Sequence, residues 1–419
     1  MKHPRVVLFS PFFYPEIIST GKYNSVLAQA LHDAGASVQV VCFHPSYPSW
    51  RPTPSSEQLP HVPARRGGRW IRYPRHPLFR RLILELSFAW HAVVSAIRLR
   101  HAVDTVVLVF PPSLAALLTG ALFSSRVRKI GIVHDLQGML GLSDGKPMQR
   151  VLRRIVHAVE KRAFRCCDRL ILLSRDMAAA AKTEFQLDQA KLLVCYPFVT
   201  IRNDAHLASN LAHLFAPSAH HVVYSGALGN KQNSYLLVEL FRKAAATLPD
   251  VHFHIFSGGP VYDRLTAENS QRSIANLHFH DLVKESDLEE LYSRSTVQLI
   301  PLLDIASYAC LPSKLPNILA AGCPVLAICN QRSELARLLQ LTSSAVVTPS
   351  WNPSQFVESV RQALTLANSS THELRKSQTQ PLLSSCFSLD ILVSAVLHAD
   401  SPLMRERSLR SAAQEYRSL

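Results

Sequence analysis

Residues 304–330, DIASYACLPSKLPNILAAGCPVLAICN, carry the clearest fold signal in this chain. A Pro-Ser-Lys turn precedes an apolar segment at 315–321, a glycine ends that segment, and another apolar run follows at 324–329. This pattern predicts a loop, a helix, a turn and a buried strand in series. Because a helix N-terminus carries unpaired N–H groups and a partial positive charge, Ser313 and Lys314 are predicted to seat a phosphate or diphosphate.

The same stretch resembles the nucleotide-sugar motif of the retaining glycosyltransferases of family 4, and residues 311–328 are similar to their colanic-acid-type exopolysaccharide branch. The resemblance implies an α/β chain of the GT-B fold, with two Rossmann-like doubly wound domains facing a central cleft. The family's broader pattern has two glutamates eight positions apart, which align here with Ala309 and Asn317. The second glutamate usually binds the ribose hydroxyls, so the resemblance predicts that contact for the Asn317 amide, whereas Ala309 is predicted only to pack.

The composition indicates a basic globular chain that is long enough for two domains. Of its 419 residues 47% are hydrophobic, and 45 Lys and Arg against 30 Asp and Glu give a formal charge of +15. This charge indicates an anionic partner, and composition leaves open whether that is nucleic acid, an anionic membrane face or a phosphorylated substrate. The eight cysteines show no Cys-x-x-Cys or metal-ligand spacing, and the chain begins without a signal-peptide pattern. These features predict a cytoplasmic protein with reduced thiols.

The chain begins with a predicted β-loop-α-β unit. Residues 6–10 form an apolar run, a helix is predicted at 19–33, and the next strand is predicted at 38–43. Gly21 permits close approach of a ligand to the backbone, and in the resembling family this loop faces the donor phosphates and the acceptor. The residues alone fit an ordinary βα turn equally well.

A long insertion and an apolar helix follow. Residues 44–77 are rich in Pro and Arg and are predicted to be irregular. The apolar segment at 82–98 is shorter than the about 20 residues that span a bilayer, and Glu85 interrupts it. Its basic flanks and the family resemblance predict a helix in the interface of the inner membrane face, with a core helix as the alternative. For the basic helix at 148–167 a solvated face is favoured over membrane contact.

A His-Asp pair at 134–135 follows the predicted strand at 129–133. Ligands of open parallel sheets bind beyond the carboxyl ends of the strands, which makes this pair a candidate site. The pair matches a position in the resembling family whose histidine lies close to the donor sugar. The resemblance therefore predicts that His134 donates a hydrogen bond to sugar hydroxyls or to the developing phosphate charge, with a capping or packing role as the alternative.

The second predicted domain opens with a strand that ends in Gly226 and a turn that carries Lys231. Glycine lets the backbone approach a phosphate and lysine neutralises its charge, so this turn is predicted to cradle the donor. It resembles the family's Gly-Arg-x(n)-Lys-Gly loop, with Ala227 and Gln232 in place of the Arg and the last Gly. The resemblance also places Gly258, after the next strand, near the nucleobase.

Strands and helices alternate in both halves of the chain, with strands predicted at 251–257 and 297–301 in the second half. This alternation predicts doubly wound α/β domains at 1–200 and 201–385. Residues 386–419 are predicted to be helical and to cross back to, or pack on, the first domain. No Gly-x-Gly-x-x-Gly follows a strand and no Asp-x-Asp is present, which disfavours a nicotinamide dehydrogenase and a metal-dependent transferase. The site is therefore predicted to use no metal or cofactor, with Lys231, Lys314 and helix N-termini stabilising the leaving diphosphate.

These features together predict a hexosyltransferase that acts at the cytoplasmic membrane, and the resemblance implies that it retains the configuration of the sugar. The expected donor is a UDP-sugar or a GDP-sugar, and the expected acceptor is a polyprenyl diphosphate-linked glycan in exopolysaccharide or surface polysaccharide synthesis. Two alternatives are a nucleotide-sugar epimerase of similar two-domain fold and a non-enzymatic membrane-bound assembly partner, which the missing glutamates would suit. A nucleic-acid binder is disfavoured because the positive charge lies on separate helices without an aromatic platform.

Overall fold

The polypeptide divides into two units, each built on its own parallel sheet. Among the described residues of the computed structural model, the first unit comprises 3–196 and 389–399, and the second comprises 197–388. The structure describes residues 3–399 except 17, 48, 141–146, 202–209 and 273. Residues 400–419 of the segment predicted to be helical at 386–419 therefore lie outside the described residues.

Seven parallel strands form the sheet of the first unit. They are β1 (Arg5–Phe9), β2 (Ser37–Phe43), β3 (Ala64–Gly67), β4 (Thr105–Phe110), β5 (Arg128–Val133), β6 (Arg169–Leu172) and β7 (Leu192–Val194). Their order in the sheet is β3-β2-β1-β4-β5-β6-β7. The apolar run TVVLVF of β4 is buried along its whole length, as expected for a central strand of a parallel sheet.

Six helices connect these strands. They are α1 (Ser19–Asp33), α2 (Pro77–Leu99), α3 (Ser113–Gly120), α4 (Gln137–Leu140), α5 (Pro147–Cys166) and α6 (Arg175–Phe185). α2 packs on α3, and α3 packs on α5. The bounds of α1 agree with the prediction at 19–33, whereas α2 begins five residues before the predicted start at 82 because Pro77 suits the first turn of a helix.

The prediction of an irregular insertion at 44–77 is wrong in one respect, because it contains β3. This strand pairs in parallel with β2 although its sequence, ARRG, has no apolar periodicity. The Arg66 guanidinium donates to the backbone carbonyls of Phe43 and Glu57, at 3.4 and 2.7 Å. Tertiary hydrogen bonds therefore form a strand that local propensity does not favour.

Six parallel strands form the sheet of the second unit. They are β8 (His220–Ser225), β9 (Val251–Ser257), β10 (Leu277–Asp281), β11 (Val297–Pro301), β12 (Val325–Ile328) and β13 (Ala345–Thr348). Their order is β10-β9-β8-β11-β12-β13. β9 and β11 have the predicted bounds, and the predicted fold class of two parallel-sheet α/β domains is confirmed.

Eight helices belong to the second unit and one more returns to the first. They are α7 (Ser234–Thr247), α8 (Pro260–Ser270), α9 (Leu288–Arg294), α10 (Asp304–Ala309), α11 (Leu315–Ala320), α12 (Glu334–Leu339), α13 (Pro353–Asn368) and α14 (His372–Cys386), followed by α15 (Leu389–Leu397). α13 packs on α7 over the largest apolar cluster of this unit. α15 packs on α1 within the first unit.

The 304–330 segment forms two helices and a strand. The stretch predicted as a loop before the Pro-Ser-Lys turn is instead the helix α10, which buries Ala306 and Ala309. α11 and β12 follow as predicted, with Gly322 between them at a φ of +68°. Only glycine adopts this left-handed conformation without steric cost, so Gly322 allows the sharp reversal from helix to strand.

Candidate functional site

The strand order of the second sheet reverses between β8 and β11, and the two strands separate at their carboxyl ends. Their pairing covers residues 222–223 and 297–298. Beyond these pairs the Lys314 ammonium donates to Ser225 O and Leu299 O, both at 3.1 Å. Open α/β sheets bind their ligands outside the carboxyl ends of the strands at such a reversal. The Pro-Ser-Lys turn therefore holds open the point where this sheet is expected to take its ligand.

The turn after β8 borders this opening. Gly226 has a φ of +139°, and the hydroxyl of Tyr224 donates to Ala227 O at 2.7 Å. The Lys231 carbonyl accepts a hydrogen bond from the backbone N–H of Leu303 at 3.0 Å, which joins this turn to the segment after β11. The predicted phosphate-binding turn thus lies at the strand reversal.

Two other predicted site residues, Gly258 and Ser313, lie in the same unit. Gly258 follows a strand, and Ser313 precedes a helix. Gly258 follows β9 and faces Leu282, whereas a Cβ on the next residue, Gly259, would meet nothing within 4 Å. Gly259 is the N-cap of α8, so the first backbone N–H groups of that helix are approachable. Ser313 is partly exposed and directly precedes Lys314, the N-cap of α11.

In the first unit, His134 lies just beyond β5 on a braced loop. Its backbone N–H donates to Phe110 O at 3.0 Å, which extends the pairing of β4 and β5. The fully buried carboxylate of Glu160 accepts a hydrogen bond from the backbone N–H of Gln137 at 3.1 Å. Arg81 of α2 donates to the Gln137 side chain. Because α2 and α5 both hold this loop, the backbone at His134 is well positioned for a ligand-binding role.

Gly21 is the third residue of α1, and its open side is filled by Glu16. A Cβ at Gly21 would lie 3.2 Å from both the Cβ and the carbonyl oxygen of Glu16. The Glu16 carboxylate accepts hydrogen bonds from the backbone N–H groups of Ser46 and Tyr47, at 2.7 and 3.2 Å. In the structure Gly21 therefore makes room for Glu16, which joins the loops after β1 and β2, and its contact with a ligand stays a prediction.

Comparison with known protein families decides the class of this molecule. Residues 20–202 match the family model described as Glycosyltransferase Family 4, and residues 219–365 match the one described as glycosyl transferases group 1. The chain is a glycosyltransferase of the GT-B fold.

Three similar proteins illustrate the range of its relatives. The "Putative colanic acid biosynthesis glycosyl transferase WcaI" of Escherichia coli K12 is 25% identical over 392 residues, 88% of this chain and 94% of the relative. Sucrose-phosphate synthase from Thermosynechococcus elongatus is 16% identical with a TM-score of 0.70, over 93% of this chain and 96% of that one. The "putative UDP-N-acetylglucosamine 2-epimerase" of Listeria monocytogenes is 11% identical with a TM-score of 0.56, over 94% and 96%. The two structural likenesses show the fold alone.

Asn317 of the glycosyltransferase makes its hydrogen bonds within the second unit. The Asn317 Oδ1 accepts from the backbone N–H groups of Thr200 and Ile201, at 2.7 and 3.3 Å, and its Nδ2 donates to Thr200 Oγ1 at 2.9 Å. The side chain is buried, so these bonds satisfy polar groups that water does not reach. The predicted ribose contact of Asn317 stays a prediction, and the structure gives its amide the task of holding residues 200–201. Ala309 is fully buried, as predicted.

Lys314 of the glycosyltransferase was predicted to contact a diphosphate directly; in the structure its ammonium bonds two backbone carbonyls, and the diphosphate contact stays a prediction. Two of its hydrogens go to Ser225 O and Leu299 O, and the Tyr224 ring lies 4.4 Å from Nζ. The physical reason is that the two strands separate here and leave carbonyls that require donors. Lys314 is thus a positioning residue in the structure, and burial lowers its pKa to about 7.

This low pKa predicts a pH-dependent stability. An unfolded lysine keeps its ordinary pKa of 10.5, so between pH 7 and 10 the unfolded chain binds more protons than the folded chain. Stability should therefore rise with pH in this window, by up to about 1.4 kcal/mol per pH unit. We expect the free energy of unfolding of wild type, measured relative to Lys314→Met by denaturant titration at pH 7, 8 and 9, to increase. A difference that is constant across these pH values would contradict the assignment.

Sequence reasoning missed two residues that shape the glycosyltransferase's loops. Tyr224 is almost fully buried in β8, contacts the Lys314 ammonium and holds the next turn, although in the sequence it reads only as a strand residue. Glu16 is the one acidic residue in the apolar and proline-rich segment before α1, and this isolation was the available sequence signal. In the structure Glu16 is buried. Buried carboxylates need partners, so an acid in this setting predicts backbone N–H contacts.

Proposed function

We propose that this glycosyltransferase transfers a hexose, with retention of configuration, from a UDP-sugar or a GDP-sugar to a lipid-linked glycan in surface polysaccharide synthesis. The observation that carries the proposal is the opening between β8 and β11, bordered by the Gly226–Lys231 turn and held by Lys314. The similarity to a relative named for colanic acid biosynthesis supports the polysaccharide context. The acceptor lipid would be a polyprenyl diphosphate.

In this proposal the diphosphate of the donor binds at the opening of the second unit. Lys231 would neutralise it, and the Ser313 hydroxyl and the N-terminus of α7 would donate hydrogen bonds to its oxygens. Lys314 would act indirectly, by keeping the carboxyl ends of β8 and β11 apart. Charge develops on the leaving diphosphate during transfer, so preorganised donors at this place would lower the barrier.

His134, in the first unit, is proposed as a hydrogen-bond donor to the substrate. It lies beyond the carboxyl end of β5, on a loop that Glu160 and Arg81 brace through Gln137. A histidine can donate a hydrogen bond to a sugar hydroxyl or to a phosphate oxygen at neutral pH. We assign it to the donor sugar, so its removal should slow transfer more than it weakens binding of the free nucleoside diphosphate.

The outer face of α2 supports contact with a membrane. Two helical segments of the described chain, Leu78–Leu99 and His372–Leu397, have the length and composition of a membrane span, and 28% and 50% of their apolar windows are buried. On α2 large apolar side chains face solvent at spacings of three, four, four and seven residues, which places them on one side of the helix: Phe79 (61% exposed), Leu82 (51%), Leu86 (53%), Trp90 (74%) and Ile97 (48%). A continuous apolar stripe of this kind indicates an interaction surface rather than scattered exposure.

Three polar residues of α2, Glu85, His91 and Ser95, face the protein instead. The Glu85 carboxylate accepts hydrogen bonds from the backbone N–H groups of Ser113 and Leu114 at the start of α3, at 3.2 and 3.0 Å. Ser95 is fully buried, and the His91 ring lies 3.2 Å from Arg65 O. This inverted arrangement favours an interfacial helix over a spanning one, because Glu85 is tied to the protein while apolar side chains point outward.

We expect the full chain to sediment with phosphatidylglycerol vesicles, and Leu86→Asp with Trp90→Asp to weaken this binding at least about tenfold. Burying one large apolar side chain is worth roughly 1.5–3 kcal/mol, and tenfold corresponds to about 1.4 kcal/mol. Ile305→Asp is the control, since Ile305 is an exposed apolar residue (59%) on α10, outside both of these helical segments. Equal vesicle binding by the double variant and the control would show that α2 is not the contact.

The epimerase alternative has the same fold, so a reaction must separate the two. Purified chain would be incubated with UDP-glucose, UDP-N-acetylglucosamine, UDP-galactose or GDP-fucose, with and without a polyprenyl diphosphate-linked sugar. A transferase releases nucleoside diphosphate only when its acceptor is present and leaves the free donor unepimerised. Conversion of a nucleotide-sugar to its epimer without acceptor would overturn the proposal.

The assembly-partner alternative predicts a different result. A non-enzymatic partner has no need to bind nucleoside diphosphates, whereas a transferase binds its product. Calorimetric titration with UDP and GDP therefore complements the turnover assay. Absence of binding to both nucleotides together with absence of turnover would favour the assembly partner.

A further inference from the structure

Five histidines lie together on one face of β8, β9 and β10, a feature that the transfer reaction does not use. The register aligns His221 with His252, and His254 with His278. Because side chains alternate across a strand, the two His-x-His pairs at 252–254 and 278–280 both point to this face. These repeated pairs lie outside the cysteine spacing on which the prediction of no metal site rested.

The rings contact one another through their nitrogens. His252 Nδ1 lies 2.9 Å from His278 Nε2, and His254 Nδ1 lies 3.0 Å from His280 Nε2. His221 Nδ1 lies 3.0 Å from His254 Nε2, while His221 Nε2 donates to Ala216 O at 2.9 Å. A carbonyl accepts only, so in the neutral chain His221 Nδ1 is an acceptor and His254 Nε2 carries the hydrogen. His254 Nδ1 then presents a lone pair towards the neighbouring strand.

We propose that His252, His254 and His278 form a binding site for a divalent transition metal ion, with zinc as the best fit. One ring nitrogen of each residue lies within 4.8 Å of the others. Tetrahedral zinc with bonds of about 2.1 Å needs nitrogens about 3.4 Å apart. The His252–His278 pair is already at 2.9 Å, so a metal would replace one shared hydrogen there. The two nitrogens that lie farthest apart, at up to 4.8 Å, would have to approach each other by about 1.4 Å.

The donor set determines the class of metal. Three imidazoles suit zinc, copper and nickel, whereas magnesium and calcium require oxygen ligands, which this trio lacks. The second nitrogen of His254 is held by the His221 ring, the kind of outer contact that orients metal-binding histidines. The Phe215 ring stacks on His254 with centroids 5.0 Å apart and covers it from solvent. A fourth coordination position would be taken by water or by His280.

The position of this trio indicates a structural role. β10 is an edge strand of the second sheet, and a metal held by His278 and the two β9 histidines would tie that edge to its neighbour. His254 precedes Gly258 by four residues, about 13 Å along the strand, so the ion would lie away from the proposed donor site. The inference therefore stands independently of the proposed function, and transfer activity need not require the ion.

The test uses untagged full chain that has been stripped with a chelator and then titrated with Co²⁺ and Zn²⁺. We expect one equivalent of Co²⁺ to give the intense visible bands of a tetrahedral site, and Zn²⁺ to displace it and raise the melting temperature. His252→Gln and His278→Gln should each weaken metal binding by more than 10–100-fold, the loss that is typical when a residue that only orients a metal ligand is replaced. His220→Gln is the matched control, because this neighbour of His221 projects from the opposite face of β8.

Two outcomes would overturn the inference. One is absence of tetrahedral cobalt bands and of zinc stabilisation in the wild-type chain at micromolar metal. The other is unchanged metal affinity in a His252→Gln, His278→Gln double variant. Metal-free denaturant unfolding of each variant shows that it is folded, and if a glutamine variant unfolds, His278→Asn replaces it in the same titration.

Discussion

Replacement of Lys231 by alanine is expected to lower kcat/KM for sugar transfer by about 10²–10³-fold, the range seen when one preorganised donor to a developing charge is removed. Lys231 lies in the turn after β8, and its carbonyl is held by the N–H of Leu303 at 3.0 Å. This backbone contact survives the substitution, so the turn keeps its place while the cation is lost. The measurement is initial-rate kinetics of nucleoside diphosphate release with saturating acceptor.

The control for this variant is Lys243→Ala, which removes an exposed lysine from α7 in the same unit. The formal charge changes equally, so a general electrostatic effect would appear in both variants. If Lys231 acts on the leaving diphosphate, kcat should fall more than affinity for the donor. Rates within twofold of wild type for a folded Lys231→Ala protein would remove this lysine from the site.

Gly322→Ala is expected to destabilise the second unit by several kcal/mol, which makes it the most damaging single-methyl change that the structure suggests. An alanine Cβ at this position would lie 2.4 Å from the backbone oxygen of His372, and the φ of +68° adds a left-handed penalty of about 1–2 kcal/mol. Backbone cannot move aside as a flexible side chain can. The measurement is thermal unfolding of the full chain followed by circular dichroism.

Gly35→Ala separates the two causes of this destabilisation. Gly35 follows α1 with a φ of +89°, and a Cβ there would have only the His3 ring within 4 Å, at 3.9 Å. It therefore bears the conformational penalty without the clash, and we expect a smaller loss of melting temperature. If both variants lost the same stability, the contact of Gly322 with α14 would contribute nothing.

Local patterns were sufficient for most of the secondary structure. β9 and β11 are short apolar runs bounded by turn residues, and their observed bounds equal the predicted ones. The prediction failed at α10, where Pro312 and the turn that it begins masked a six-residue helix before it. It also failed at β3, whose basic sequence becomes a strand because β2 offers an unpaired edge.

The sequence likewise predicted some features of the candidate site and missed others. The glycine turn and the Pro-Ser-Lys turn were recognisable because their residue types have direct physical uses near phosphate. Two partners were not recognisable, because Ser225 lies 89 residues from Lys314 and Thr200 lies 117 residues from Asn317. A side chain's type limits which bonds it can form, but the packing of distant strands selects the partner.

The amino-acid sequence by itself determined the alternation of strands and helices, the two-domain class and the turns that mark the candidate site, because these depend on neighbouring residues. Tertiary structure alone decided that the Lys314 ammonium lies between two separating strands, that the apolar stripe of α2 faces outward, and that five histidines share one face of a sheet. These three depend on strand register and helix rotation, which contacts between distant segments determine.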